Sequence, residues 1–204
     1  RRELRDLEVA GTHASQLGDH RVRGGDEFVV GHDLVLSDSL PAAETGADGS
    51  WVAAPRLDNQ GSCHSATLAL LAAAPAAHTQ LLVANDHEEV GSQSERGAMS
   101  TLLPSVLERI VLSAGGGRED FHRAIAATVV ASGDMAHATH PNYPEKHEPQ
   151  HQIALNGGPV LKTNVKLRYA TDSVGAAAFL MACAQAGVPV QHFVSRNDLP
   201  CGSD

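Results

Sequence analysis

Aromatic side chains are scarce: Phe, Trp and Tyr make up only 3% of the 204 residues. The core must therefore be built from Ala, Leu and Val, a composition that suits helices packed on a buried sheet. Positive charge is also short, with 15 Lys and Arg against 24 Asp and Glu and a formal net charge of -9. Such a chain offers no basic face to a phosphate backbone, which argues against a nucleic-acid partner. Long apolar runs are missing as well. Residues 66–77 form one of the longest, and it falls short of the roughly 20 residues needed to span a bilayer. No membrane partner is expected. The first eight residues are densely charged and do not follow the basic-then-apolar order of a secretory leader, so a cytoplasmic location is expected. Cysteine occurs only as Cys63, Cys183 and Cys201, too few and too scattered for a disulfide framework or a cysteine zinc site. Each reads as a small buried hydrophobe.

Apolar residues reach 42% and charged residues 19%, ordinary values for a globular domain with a real core. Up to about residue 49 the chain is polar and punctuated by Gly and Asp, with short strand candidates at 28–31 and 34–36 and a linker or exposed loop at 41–49. After Trp51 the character changes. Residues 62–77 read as an Ala/Leu-rich helix, 79–84 (TQLLVA) as a buried strand, and 94–113 as an amphipathic helix interrupted or kinked at Pro104. The run 124–131 (AIAATVVA) ends in a second buried strand, and a long polar loop, 135–151, follows. Strands are expected at 159–161, 164–169 and 190–194, with a helix over 172–186 capped by Asp172 or Ser173 and stopped by Gly187. The alternation predicts an α/β fold, a largely parallel sheet with helices on both faces. The chain begins inside a charged segment and breaks off just after a strand-like run, so further sequence is expected on either side.

In open α/β sheets, sites form beyond the carboxyl ends of strands. Two such places are dense in ligand-type side chains: Asp86-His87-Glu88-Glu89 after Ala84, and Asp134-Met135-Ala136-His137 after Ala131. The first holds three carboxylates that repel one another unless a cation intervenes. A solvated acidic turn opening a helix explains it equally well. Asp58, in Arg56-Leu57-Asp58-Asn59, is either an N-cap or a third acidic site. Together, carboxylates at strand ends with histidines nearby suit divalent metals. Two metals sharing a bridging carboxylate form a hydrolytic device, and an unligated carboxylate beside them can relay the proton of the attacking water.

Five segments, APRLDNQGSCH (54–64), NDHEEVGSQSERGAMS (85–100), SGDMAHATHPNYPEKHEPQH (132–151), LNGGPVLKTNVKLRYATDS (155–173) and SRNDLPCGS (195–203), resemble the aspartyl aminopeptidase family in order and spacing. The resemblance runs from Asp33 onward. It implies a di-zinc catalytic domain interrupted by a dimerisation domain, in subunits that form a dodecamer. By that resemblance residues 1–48 are the end of the inserted domain and 49–204 the catalytic domain. It makes Asp58 the bridging carboxylate, Glu88 the general base, and Glu89 and Asp134 ligands of the two zinc ions. The family's two histidine ligands, in an early His-x-Asp segment and near the C-terminus, have no counterpart here. His137, Lys162 and Tyr169 are candidate substrate contacts, Lys162 as the partner of an acidic substrate side chain. His140, His147 and His151 read as loop-structuring or interface residues. Gly157-Gly158-Pro159 reads as a turn of close backbone approach, not a phosphate loop.

The expected activity is metal-dependent removal of N-terminal residues, preferably Asp or Glu, from peptides. The competing expectation is a catalytically incompetent fragment that serves only subunit association, since three carboxylates without imidazole hold zinc weakly.

Overall fold

The structure is a computed structural model, and it describes residues 8–9, 12–16, 34–196 and 198. The strand candidate at 28–31 and Cys201 lie outside these residues. The chain divides into two compact units, Arg1–Gly61 and Ser62–Asp204.

In the first unit β1 (Glu8–Val9), β2 (Thr12–Gln16) and β3 (Leu34–Ser37) form an antiparallel sheet in that order, with Gln16 opposite Leu34. Part of the expected linker is instead a strand: β4 (Ala43–Thr45) pairs antiparallel with β5 (Trp51–Ala53), Thr45 facing Trp51. Turn chemistry accounts for the hairpin. Gly46 and Gly49 take positive φ, and the Asp48 carboxylate accepts the Ser50 amide at 3.2 Å. That hydroxyl-bearing partner also holds the Asp48 carboxyl below its usual range, through the Ser50 side chain and then its amide.

Helix α1 (Leu57–Ala72) opens irregularly, because Asp58 and Asn59 depart from helical angles. It ends earlier than the composition suggests: Pro75 lacks the amide needed to continue. Cys63 is exposed, against expectation, since α1 buries none of its residues. Cys183 is buried as expected. Helix α2 (Leu102–Ser113) starts well after Ser94, and Pro104 falls in its first turn, where no intrahelical acceptor is needed. α3 (Arg118–Ala127) follows a glycine-rich connection and packs on α2. A Cβ at Gly116 would lie 2.8 Å from Val111 Cγ1.

The second unit centres on a βαβ unit. β6 (Val160–Thr163) runs parallel to β7 (Gln191–Val194), and α4 (Ser173–Ala186) makes the crossover. Asp172 caps α4 by accepting the Gly175 amide at 2.7 Å, and Gly187, left-handed at φ 67, ends it. The buried apolar side chains among the described residues are Ile153, Leu161 and Cys183, which cluster along this part of the chain. Gly157 and Gly158 form the expected close turn. A Cβ on Gly158 would sit 2.1 Å from the Pro189 carbonyl oxygen, and the Gln191 amide bridges Ala154 and Gly158.

Three expected strands are not strands. Residues 79–84 and 128–131 find no ladder partner among the described residues, and Val129 and Val130 are 85% and 78% exposed. An apolar run becomes a strand only where a neighbour takes its amides. Residues 164–169 instead form turns. The Asn164 side-chain oxygen accepts the Lys166 amide at 2.8 Å, its carbonyl accepts the Leu167 amide, and Leu167 takes φ 55. A short side-chain acceptor thus outcompetes the ladder. The parallel sheet among the described residues is limited to the β6–β7 pair. None of the described helices is long and apolar enough to cross a membrane.

Candidate active site

Glu88 and Glu89 sit exposed in a short 3-10 turn, Glu88–Val90. Left-handed residues flank it: His87 at φ 63 and Gly91 at φ 94, with Ser92 at φ 57 just beyond. Non-glycine residues adopt this region rarely and hold it only where surroundings impose it. Here they do. The His87 amide donates to Asp86 at 3.1 Å, and His87 Nδ1 and the Ser94 hydroxyl share a hydrogen bond of 2.5 Å. The His87 carbonyl accepts the amides of Val90 and Ser92, and the Ser92 carbonyl accepts that of Met99. Arg96 lies 3.7 Å from Asp86. Ser92 is fully buried, and Gly97 presses against its backbone so closely that a Cβ would stand 2.1 Å from the Ser92 oxygen. The glutamate pair is thus presented to solvent on a tightly closed loop.

A second group forms around β6. The Lys162 ammonium donates to Asp134 at 2.8 Å, with side chains 18% and 31% exposed, and lies 5.3 Å from the centroid of Tyr169. Three of the residues singled out in the sequence therefore meet. Tyr169 packs edge-on to Phe193, centroids 6.2 Å apart, and Phe193 packs edge-on to His147 at 6.1 Å. His147 Nε2 donates to the carbonyl of His137 at 3.1 Å, while the His137 side chain itself is exposed. Phe193 and His147 escaped the sequence reading of this group. The parallel register of β6 and β7 sets Phe193 opposite Lys162.

The polar loop is held locally, as its histidines suggest. The His140 ring lies tilted against Tyr143, centroids 5.1 Å apart, and His151 pairs with Glu148 at 2.5 Å. The His151 hydrogen bond holds the Glu148 carboxyl below its ordinary range. Arg196 donates to the carbonyl of Glu145 and forks onto Asp198, whose carboxyl is held low by that guanidinium.

The described residues do not complete a metal site by themselves. Among the described residues no group of three His, Cys, Asp or Glu side chains stands close enough to hold an ion. Asp134 is engaged by Lys162. Asp58 belongs to the first unit, and Glu88, Glu89 and Asp134 to the second.

A model of the family described as aminopeptidase I zinc metalloprotease (M18) matches residues 16–204. The chain belongs to the M18 family. Among its M18 relatives, a probable M18 family aminopeptidase 2 of Mycobacterium leprae is 57% identical over 175 residues, covering 86% of this chain and 41% of the relative. The Streptomyces coelicolor protein of the same name is 49% identical over 179 residues, with 86% and 41% covered. The chain thus spans about two fifths of the length of these relatives. In the cryo-EM structure of the Ape4 and Nbr1 complex, a chain aligns with TM-score 0.72 at 38% identity, over 85% of this chain and 34% of that one. Crystalline yeast aminopeptidase 1 (Ape1) aligns with TM-score 0.66 at 31% identity, over 79% and 38%. The S. cerevisiae mApe1 dodecamer aligns with TM-score 0.68 at 30% identity, over 79% and 38%.

Proposed function

We propose that this M18 chain supplies the proton-relay glutamate and the side-chain pocket of a metal-dependent aminopeptidase that removes N-terminal residues, preferably Asp or Glu, from peptides. The observation that carries the reading is the half-buried Lys162 ammonium, which already binds a carboxylate at 2.8 Å over the ring of Tyr169. A substrate carboxylate arriving there takes the place of Asp134. The exposed Glu88 accepts a proton from the water that adds to the scissile carbonyl, then returns it to the departing amine. His137 contacts the substrate beside Lys162. Asp58, Glu89 and Asp134 are the chain's contribution to a site for two zinc ions, which they do not assemble alone. Residues 1–48 are assigned to an inserted dimerisation domain and 49–204 to the catalytic domain, whose sheet is largely parallel. The working form is a cytoplasmic homo-oligomer, a dodecamer by analogy with mApe1.

The test is release of aspartate from an aspartyl peptide by the purified protein, with loss of turnover on chelation and in Glu88→Gln. Unchanged turnover in Glu88→Gln would rule out the assigned relay. The absence of a three-ligand group among the described residues favours a second reading, a fragment that acts only in subunit association. Tight stoichiometric zinc in the purified chain would exclude it.

A further inference from the structure

His147 is among the few buried polar residues described, 8% exposed, and Nδ1 has no hydrogen-bond partner among the described residues. Its other nitrogen faces the His137 carbonyl at 3.1 Å. A carbonyl oxygen only accepts, so Nε2 carries the hydrogen. The backbone of His147 is fixed as well: its amide donates to Pro144 at 3.1 Å, and Arg196 grips the neighbouring Glu145 carbonyl. From this anchored position one ring reaches the acid-binding group from two directions. Through Nε2 it holds the backbone three residues beyond Asp134. Through its edge it meets Phe193, which meets Tyr169, over which Lys162 lies. Asp134 and Lys162 are themselves 2.8 Å apart, so the path closes on itself.

We propose that His147 is a positioning residue that sets the preference for an acidic N-terminal side chain, acting through the His137 backbone and the Phe193–Tyr169 pair on the Lys162 ammonium. This rests on the reading of Lys162 as the carboxylate binder. The contacts described for His147 run to His137, Pro144 and Phe193, so its effect is expected on recognition and not on proton transfer.

The experiment compares kcat and KM on aspartyl and leucyl peptides for the wild-type protein, His147→Ala and His147→Gln. The expected result for His147→Ala is a fall of about tenfold in the Asp-to-Leu ratio of kcat/KM, carried by a higher KM for the aspartyl peptide with kcat retained. His147→Gln, whose amide can donate to the same carbonyl, restores most of the ratio. Equal losses on both peptides, or an unchanged ratio, overturn the proposal. Nitrogen-15 NMR of the ring gives a second readout, which also decides the matter should His147→Ala fail to fold. Hydrogen on Nε2 supports the proposal, and hydrogen on Nδ1 overturns it. A wild-type protein that cleaves neither peptide sinks the aminopeptidase reading and this proposal together, an outcome distinct from an active enzyme whose preference ignores the substitution.

Discussion

Lys162→Met deletes the charge that lies over Tyr169 while keeping most of the side chain's length. In the structure that charge sits 2.8 Å from the Asp134 carboxylate, with 18% of the lysine side chain exposed. At that separation the gross attraction between unit charges is about 6 kcal/mol at an effective dielectric of about 20. Desolvation and side-chain ordering consume most of it, leaving roughly 1.5–3 kcal/mol for a charged hydrogen bond. If, as proposed, a substrate carboxylate binds in place of Asp134, it gains the same contact, and its loss corresponds to about 10- to 100-fold in kcat/KM. A leucyl peptide makes no such bond and keeps its rate within about threefold. Stability changes little, because Asp134 remains accessible enough to be hydrated. The assay is steady-state cleavage of paired aspartyl and leucyl peptides. A parallel fall on both would show that Lys162 supports the fold and does not read the substrate.

Gly97→Ala forces a methyl to within 2.1 Å of the Ser92 oxygen, and backbone cannot yield as a side-chain tip can. A loss of about 1–3 kcal/mol is expected, read as a drop of about 2–10 °C in Tm. The Glu148 carboxyl is held low by His151. Its contribution is therefore present at neutral pH and is lost as pH falls through its depressed value. Urea midpoints should decline with acidification less steeply in His151→Ala than in the wild type. Asp172→Ala removes the α4 cap and should cost about 1 kcal/mol, seen in chemical denaturation.

Elements whose instructions are local could be read from the sequence. Asp172 and Gly187 bound α4 as their side-chain acceptor and left-handed conformation require. Gly157-Gly158 marks a true close approach. The runs at 79–84 and 128–131 could not be read correctly, because a strand is a relation between two segments and no described segment faces them. Residues 164–169 failed for another reason: the Asn164 side chain captures the amides that a ladder would use. At the site, Asp134, Lys162 and Tyr169 could be singled out by residue type, and the fold brings them together. That Asp134 and Lys162 would choose each other was not visible, since nothing in a string of letters tells which ion lies nearest. Ser94, seven residues from His87, left no pattern at all.

The ladder that sets Lys162 opposite Phe193 joins two strands separated by a whole helix. Parallel neighbours cannot zip from a hairpin, so some thirty residues of slack must be gathered before their first bond forms. α4 can wind early from its own ends, whereas the strand pair is completed late. The Lys162–Tyr169–Phe193 group accordingly comes together only once the crossover has closed.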